Sequence, residues 1–289
     1  MPHFAAFPLL DKPKYHELIK AYYRSYLEIA RKNGTGYILE SPTWRASKDW
    51  GYKLGYSEED LDDVNTVAIN KLKELQASYK GSIDQIYISG CVGPRGDGYT
   101  ADEAMTANEA AQYHHDQIAS FSRSKVDLVT AMTMNYSNEA LGVVKAAMQN
   151  NCPVVISFTV ETDGNLPNGE SLKEAINTID KATDSYPLYF MINCAHPSHF
   201  AHQLEQAEAW TLRIRGLRAN ASEKCHAELD EATELDRGNP SLLGDWYGTI
   251  KNYLPNLFVY GGCCGTDSEH VNAMFKGIVK QEAKFKKTA

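Results

Sequence analysis

Short apolar runs alternate with longer amphipathic stretches along nearly the whole chain. From about Pro13 to Asn33, Leu18, Ile19, Tyr22, Tyr26, Leu27 and Ile29 recur at roughly helical spacing, and Gly34 and Gly36 end the pattern. Tyr37-Ile38-Leu39 then reads as a short strand running into Glu40-Ser41-Pro42-Thr43. Acidic Glu58-Glu59-Asp60 opens a second helix, which runs towards Tyr79. Further strands are predicted at Ile83 to Ser89, Val126 to Thr133, Pro153 to Thr159, Leu188 to Cys194, Arg213 to Leu217 and Leu257 to Tyr260. Helices are predicted at Ala104 to Ser122, Asn138 to Asn150, Ser171 to Thr183, His199 to Ala209 and Ser241 to Tyr253, with a last one from about Ser268. Gly90 to Gly98 reads as a glycine-rich loop, and the polar stretch from Ser222 to Pro240 as an insertion.

Strands alternating with helices imply a parallel sheet covered by helices. No linker rich in Gly, Ser or Pro divides residues 1–289, so the chain reads as one domain. Its length suits an α/β fold of the (β/α)8 TIM-barrel type, which commonly takes about 250 residues. The pattern contains seven strands, however, and opens directly on what should be the first helix. Phe7-Pro8-Leu9-Leu10 is apolar but too short to serve as the missing strand. The expectation is a barrel without its first strand, in a chain that starts at an internal methionine. The edge left open would expose unpaired backbone groups and invite pairing with another chain.

Composition narrows the partners. The chain is 43% apolar and 23% charged, as a soluble globular protein is. A net charge of −8 with scattered basic residues argues against a nucleic-acid surface. The short group Lys284, Lys286 and Lys287 reads as a solvated helix end. No apolar run is long enough to span a membrane, and the first residues do not form a secretory signal. Six cysteines outside any short disulfide framework point to the cytoplasm. Of these, Cys91 and Cys152 lie in or beside apolar runs and read as packing residues, and Cys225 is left over.

The candidate chemistry gathers on Tyr260-Gly261-Gly262-Cys263-Cys264-Gly265-Thr266. Neighbouring side chains of a strand point to opposite faces, so Cys263 and Cys264 can share one metal only where the strand stops being regular. Glycines on both sides allow that bend. A third soft ligand is available in Cys194, at the end of another apolar strand, Phe190-Met191-Ile192-Asn193-Cys194. Three thiolates and one open position make a catalytic type of zinc site. The alternative is that the cysteines pack as small hydrophobes. Cys194-Ala195-His196-Pro197-Ser198-His199 could form a second cluster, but its proline and helix start favour solvated loop histidines. His114-His115 reads as a helix face, and the Gly90 to Gly98 loop lacks the spacing of a phosphate grip.

Gly261-Gly262-Cys263-Cys264-Gly265 with Glu269-His270-Val271, together with Asn193-Cys194, resembles the motifs of the zinc-dependent homocysteine S-methyltransferase family. Ser41-Pro42-Thr43-Trp44-Arg45-Ala46-Ser47, Val92-Gly93-Pro94-Arg95-Gly96-Asp97, His115-Asp116-Gln117-Ile118 and Asn138-Glu139-Ala140 match in the expected order. The resemblance implies the same barrel, with Cys194, Cys263 and Cys264 as zinc ligands. It places Thr43, Asn193, Gly262 and the position of Met132 near the substrate. Two departures stand out. The family's first strand ends in Asp-Gly-Gly, which Met1 to Asp11 do not contain. An acid usually stands where this chain has Met132, which cannot pair an ammonium group. Either the thiol acceptor differs from homocysteine, or another acid such as Glu40 or Glu161 compensates; otherwise those two read as solvated strand-end residues.

The function expected from this set is methyl transfer from a sulfonium or quaternary ammonium donor to a small thiol, homocysteine or a relative. S-methylmethionine, S-adenosylmethionine and betaine all fit the resemblance. Two other readings stay open: a barrel that holds zinc or thiol without turnover, and a phosphate grip at Gly261-Gly262 with incidental cysteines.

Overall fold

The apolar runs become a seven-stranded, all-parallel sheet in the order β1 to β7, wrapped by helices. The computed structural model describes residues 2–101, 104–206 and 208–288. In chain order the elements are α1 (His16–Asn33), β1 (Tyr37–Glu40), α2 (Lys48–Lys53), α3 (Glu58–Ser78), β2 (Ile86–Val92), α4 (Ala107–Arg123), β3 (Leu128–Met134), α5 (Ser137–Gln149), β4 (Val154–Phe158), α6 (Leu172–Thr183), β5 (Phe190–Asn193), α7 (Pro197–Leu204), β6 (Ile214–Ala219), α8 (His226–Asp230), α9 (Pro240–Tyr253), β7 (Val259–Gly262) and α10 (Ser268–Thr288). Each predicted strand begins within three residues of its observed start. Several helices begin where a hydroxyl and an acid three residues on cap each other: Ser57 with Asp60, Thr106 with Glu109, Ser171 with Glu174. α7 is shorter than the expected His199 to Ala209. Pro197 starts it at a position that needs no N–H, and it ends at buried Leu204, before exposed Glu205 and Gln206. The stretch expected as an insertion carries the short α8.

The sheet is curled. Arg218 on β6 forms an ion pair with Glu40 on β1, although these strands lie five places apart in the sheet order. Inside the curl, Cys91, Leu128, Met132, Val155, Tyr189 and Met191 fill the barrel axis. A larger cluster lies between strands and helices, with Leu72, Ile118, Phe121, Val143 and Ile176 among its members. The architecture is a partial TIM-type barrel.

Its opening lies between β1 and β7, the two ends of the sheet order. Among the described residues no strand precedes β1. The segment before α1 forms 3-10 turns at Pro2–Phe4, Phe7–Leu9 and Pro13–Tyr15. Phe7 and Leu10 are buried with Ala46, Leu61 and Val64, so this segment fills a satellite core against α3. α1 packs against both β1 and α10, and the Tyr23 hydroxyl donates to the Glu40 carbonyl at 2.7 Å. The lysines Lys284, Lys286 and Lys287 lie outside the described side chains.

The C-terminal strands are fixed from behind. Gly244 of α9 and Gly277 of α10 let the two helices touch: a Cβ on Gly277 would lie 1.9 Å from the Gly244 carbonyl oxygen. The buried Tyr247 hydroxyl of α9 accepts from the Ala219 N–H at 2.9 Å and donates to the Gly261 carbonyl at 2.5 Å. One phenol thus ties the ends of β6 and β7. Tyr247→Phe keeps the ring but strands a buried donor and acceptor, and should destabilise the protein by about 1–3 kcal/mol. Urea unfolding, read as a lower midpoint at unchanged slope, checks this.

Candidate metal centre at the barrel mouth

Two strand ends carry the cysteines, and each leaves regular geometry where it does so. Cys194 follows β5 with φ 54°, a left-handed conformation that costs a non-glycine residue about 1–2 kcal/mol. Three hydrogen bonds hold it there. Its N–H donates to the Arg218 carbonyl at 3.1 Å, and its carbonyl accepts from Asn220 Nδ2 at 2.9 Å and His226 Nε2 at 2.7 Å. After β7, the Cys263 N–H donates to the Ala219 carbonyl at 2.8 Å. The chain then turns through Gly265, at φ 76°, and the Thr266 hydroxyl closes the turn on the Cys263 carbonyl at 2.7 Å. Gly262 is required here by space, since a Cβ would come within 2.0 Å of the Thr266 hydroxyl oxygen.

Asn220, at the end of β6 and buried, joins the two loops. Its Nδ2 donates to the Cys194 carbonyl and its Oδ1 accepts from the Cys264 N–H at 3.1 Å. The three sulfurs of Cys194, Cys263 and Cys264 lie within 4.8 Å of one another. They grade from buried through half-buried to exposed, so the cluster opens outward at Cys264. Cys194 and Cys263 are joined as a disulfide in this structure, across a Cα separation of 5.4 Å. That bond must be reduced before either sulfur can ligate a metal. Three thiolates on one tetrahedral ion lie roughly 3.8 Å apart, at Zn–S distances of about 2.3 Å. The all-sulfur donor set, once the cysteines are reduced, fits a soft, borderline cation of that kind.

The rim above the sulfurs is aromatic and polar. The Tyr99 ring lies tilted against that of His226 with centroids 4.1 Å apart, and its hydroxyl lies 3.8 Å from Cys264 Sγ. Glu161 Oε1 lies 3.2 Å from His226 Nδ1. The loop that delivers Tyr99 is shaped by Arg45, whose guanidinium sits 3.9 Å from the ring centres of both Trp44 and Trp50. Arg45 donates to the Pro94 and Gly96 carbonyls at 3.0 and 2.8 Å. Burial pushes the Arg45 pKa down to about 10, so it stays charged at neutral pH.

The remaining expected residues are distributed below this mouth. Asn193 is buried, its Oδ1 accepting from the Thr133 N–H at 3.0 Å and from the Ser157 hydroxyl at 2.6 Å, its Nδ2 donating to the Thr133 hydroxyl at 2.8 Å. Thr133 itself has φ 62°, rare for a β-branched residue, and follows Met132 at an irregularity in β3. The Met132 side chain packs in the barrel interior, and its carbonyl accepts from Trp44 Nε1 at 3.2 Å. Thr43 is fully buried; its hydroxyl donates to the Cys91 carbonyl at 2.8 Å and meets the Ser41 hydroxyl at 2.6 Å.

Several side groups differ from their sequence reading. His196 and His199 are buried, not solvated. His196 caps α7 through Ser198, and His199 bonds the Glu223 carbonyl at 2.8 Å. Burial, with His199 nearby, pushes the His196 pKa down to about 4 and keeps it neutral. Glu40 and Glu161 are not simply solvated either: each has a basic partner, Arg218 and His226 respectively. Asn220, Tyr99 and His226 were not predicted as site residues. Asn220 could have been found, because it follows an apolar strand at the end where barrel sites form. Tyr99 and His226 lie in polar loops with no such signal.

A parallel barrel with three cysteine sulfurs gathered over the C-terminal ends of its strands carries them where barrel enzymes place their active sites. The chain matches the homocysteine S-methyltransferase family over residues 3–278 and belongs to it, which makes it a methyltransferase. It is 20% identical to Homocysteine S-methyltransferase 1 of Brassica oleracea var. italica, over 97% of this chain and 88% of that protein. Its fold is similar to that of the homocysteine methyltransferase MmuM from Escherichia coli. The oxidized form gives a TM-score of 0.73 at 14% identity, over 93% of this chain and 86% of the other. The metallated form gives 0.74 at 14% identity, over 94% and 87%.

Because Asn220 is the joint between the cysteine loops, Asn220→Ala should weaken metal retention by about 10–100-fold, the usual cost of losing a group that orients ligands. Competition against a chelator of known affinity measures it, and unchanged retention would show that the loops hold themselves.

Proposed function

We propose that this protein moves a methyl group from a cationic donor, a sulfonium or quaternary ammonium, to a small thiol, with zinc held by Cys194, Cys263 and Cys264. The observation that carries the reading is the convergence of three sulfurs within 4.8 Å at the barrel mouth, in a chain of this family. The all-sulfur donor set favours such an ion. When bound, zinc deprotonates a coordinated thiol, which otherwise has a pKa near 8.5 and is only about 3% thiolate at pH 7.

The residues of the chain then have separate tasks. The three cysteine thiolates outnumber the two charges of the ion, so the centre carries net negative charge and favours a cationic methyl donor over a neutral one. Asn220 keeps the two cysteine loops in register. Tyr99 and His226 border the open side of the cluster at Cys264. Attack on an onium donor reduces charge separation, which a drier site assists. Asn193 and Thr133 set the floor beneath, with every polar atom of the Asn193 side chain bonded within the protein.

Protein purified under reducing conditions should hold about one zinc per chain, as a single three-thiolate site requires. Cys263→Ser should lose it. Methyl transfer from S-methylmethionine, S-adenosylmethionine or betaine to homocysteine should fall in that variant by at least about thirtyfold, the thiolate population that coordination supplies at pH 7. Elemental analysis and thioether formation followed by mass spectrometry read the two effects. Wild-type protein free of zinc, or a variant that retains it, would sink the reading.

A further inference from the structure

The sheet order begins at β1 and ends at β7, and no strand pairing joins the two among the described residues. Paired strands lie about 4.8 Å apart. Beyond that reach, side chains must hold the two margins together, and one ion pair does so. Arg218 of β6 points toward the barrel axis. Its neighbours Leu217 and Ala219 belong to the outer cluster, while Gly216, two residues back, faces Met191 of the inner one. Glu40 of β1 points inward too, because Leu39 beside it lies in the outer cluster. The two side chains meet inside the curl, with 33% of the arginine and 19% of the glutamate exposed.

The path of the arginine is built into β7. Its stem lies against Gly261, where an added Cβ would come within 3.2 Å of Arg218 Cγ. Its Nε then donates to the Gly262 carbonyl at 3.2 Å, and its Nη1 donates to Glu40. A guanidinium presents these donors in one rigid plane, so the two acceptors are fixed relative to each other. Glu40 is anchored in turn. It lies in register with Ser89 of β2, and its carbonyl accepts from the Tyr23 hydroxyl of α1 at 2.7 Å. Gly262 immediately precedes Cys263. The carbonyl of the same arginine accepts from the Cys194 N–H at 3.1 Å. One residue therefore touches both cysteine loops, through its main chain at Cys194 and through its side chain next to Cys263.

We propose that Glu40 and Arg218 are positioning residues of the metal centre. Their ion pair braces the end of β7 from the far margin of the sheet and sets where Cys263 stands relative to Cys194. Tyr247 and Asn220 tie β7 to its neighbour β6. The ion pair ties it, through Gly262, to β1, which strand pairing does not reach. The inference rests on the reading of the three cysteines as a zinc site and adds to it a pair outside the ligand set.

The test uses reduced protein loaded with cobalt(II), whose ligand-field and thiolate charge-transfer bands report the arrangement of the sulfurs. Glu40→Ala should weaken cobalt retention against a chelator by about tenfold or more, the usual cost of losing a group that orients ligands, and should alter the bands. Glu40→Gln keeps the length of the side chain and an acceptor at its end, which guards against a folding defect, and should recover part of both effects. In an Arg218→Ala background, Glu40→Ala should add no further loss, because the two act as one unit. Urea unfolding of the metal-free protein separates the alternative. A Glu40→Ala variant with a lowered urea midpoint but wild-type cobalt retention and bands would make the pair a purely structural one and overturn the inference. Losses that add in full in the double variant would overturn it as well. In both cases the zinc reading survives. A reduced wild type that takes up cobalt(II) without thiolate bands would overturn both.

Discussion

A single buried carboxamide holds the two halves of the candidate centre together. Asn220 donates to the backbone of Cys194 and accepts from the backbone of Cys264, so the position of one cysteine loop sets the other. The constraint matters because the Cys194 loop is not relaxed. Cys194 sits in a left-handed conformation, and the Cys263–Cys264 loop turns through a glycine. Such strain persists only where surrounding bonds over-determine it. Here the over-determination comes from Asn220, His226 and the Arg218 carbonyl. The rest of the fold supplies the platform: Tyr247 fixes β6 to β7 from below, and Arg218 reaches across to Glu40.

Much of this was legible in the sequence. Strand positions followed from short apolar runs between helical patterns, since in a parallel sheet covered on its outer face the strands are nearly all apolar. The seven-strand count and the lack of a strand before Tyr37, as found among the described residues, followed from the same pattern. The cysteine cluster was legible from adjacency, flanking glycines and strand ends, which are local properties. What failed to show was the pairing of side chains brought together from far apart. His226 lies 32 residues beyond the Cys194 carbonyl it bonds, in a polar stretch that carries no periodicity. Glu40 meets Arg218 across 178 residues. The burial of His196 and His199 was also missed, because a proline and a helix start are surface signals in sequence even where tertiary packing covers them.

Polar groups below the mouth divide into those used up by the fold and those left with capacity. Thr43, Asn193 and Ser157 spend their hydrogen bonds on one another or on backbone, and so shape the cavity floor. Glu161, by contrast, is partly exposed and meets the protein through one ring nitrogen of His226. Satisfied groups give a site its form, while groups with spare acceptors give it selectivity.

β7 supplies two of the three sulfurs, yet it has a strand neighbour on one side alone among the described residues. All four of its residues are half-buried, as in a strand at a margin. Any link between Cys194 and Cys263, whether a disulfide or a shared ion, therefore fastens this marginal strand to β5 across the intervening β6. The reactive centre is thus also a clasp. An ion bound there would stabilise the margin of the sheet by mass action, and its loss would loosen the strand that bears two of the cysteines. Retention of the ion and integrity of the C-terminal edge become one cooperative property.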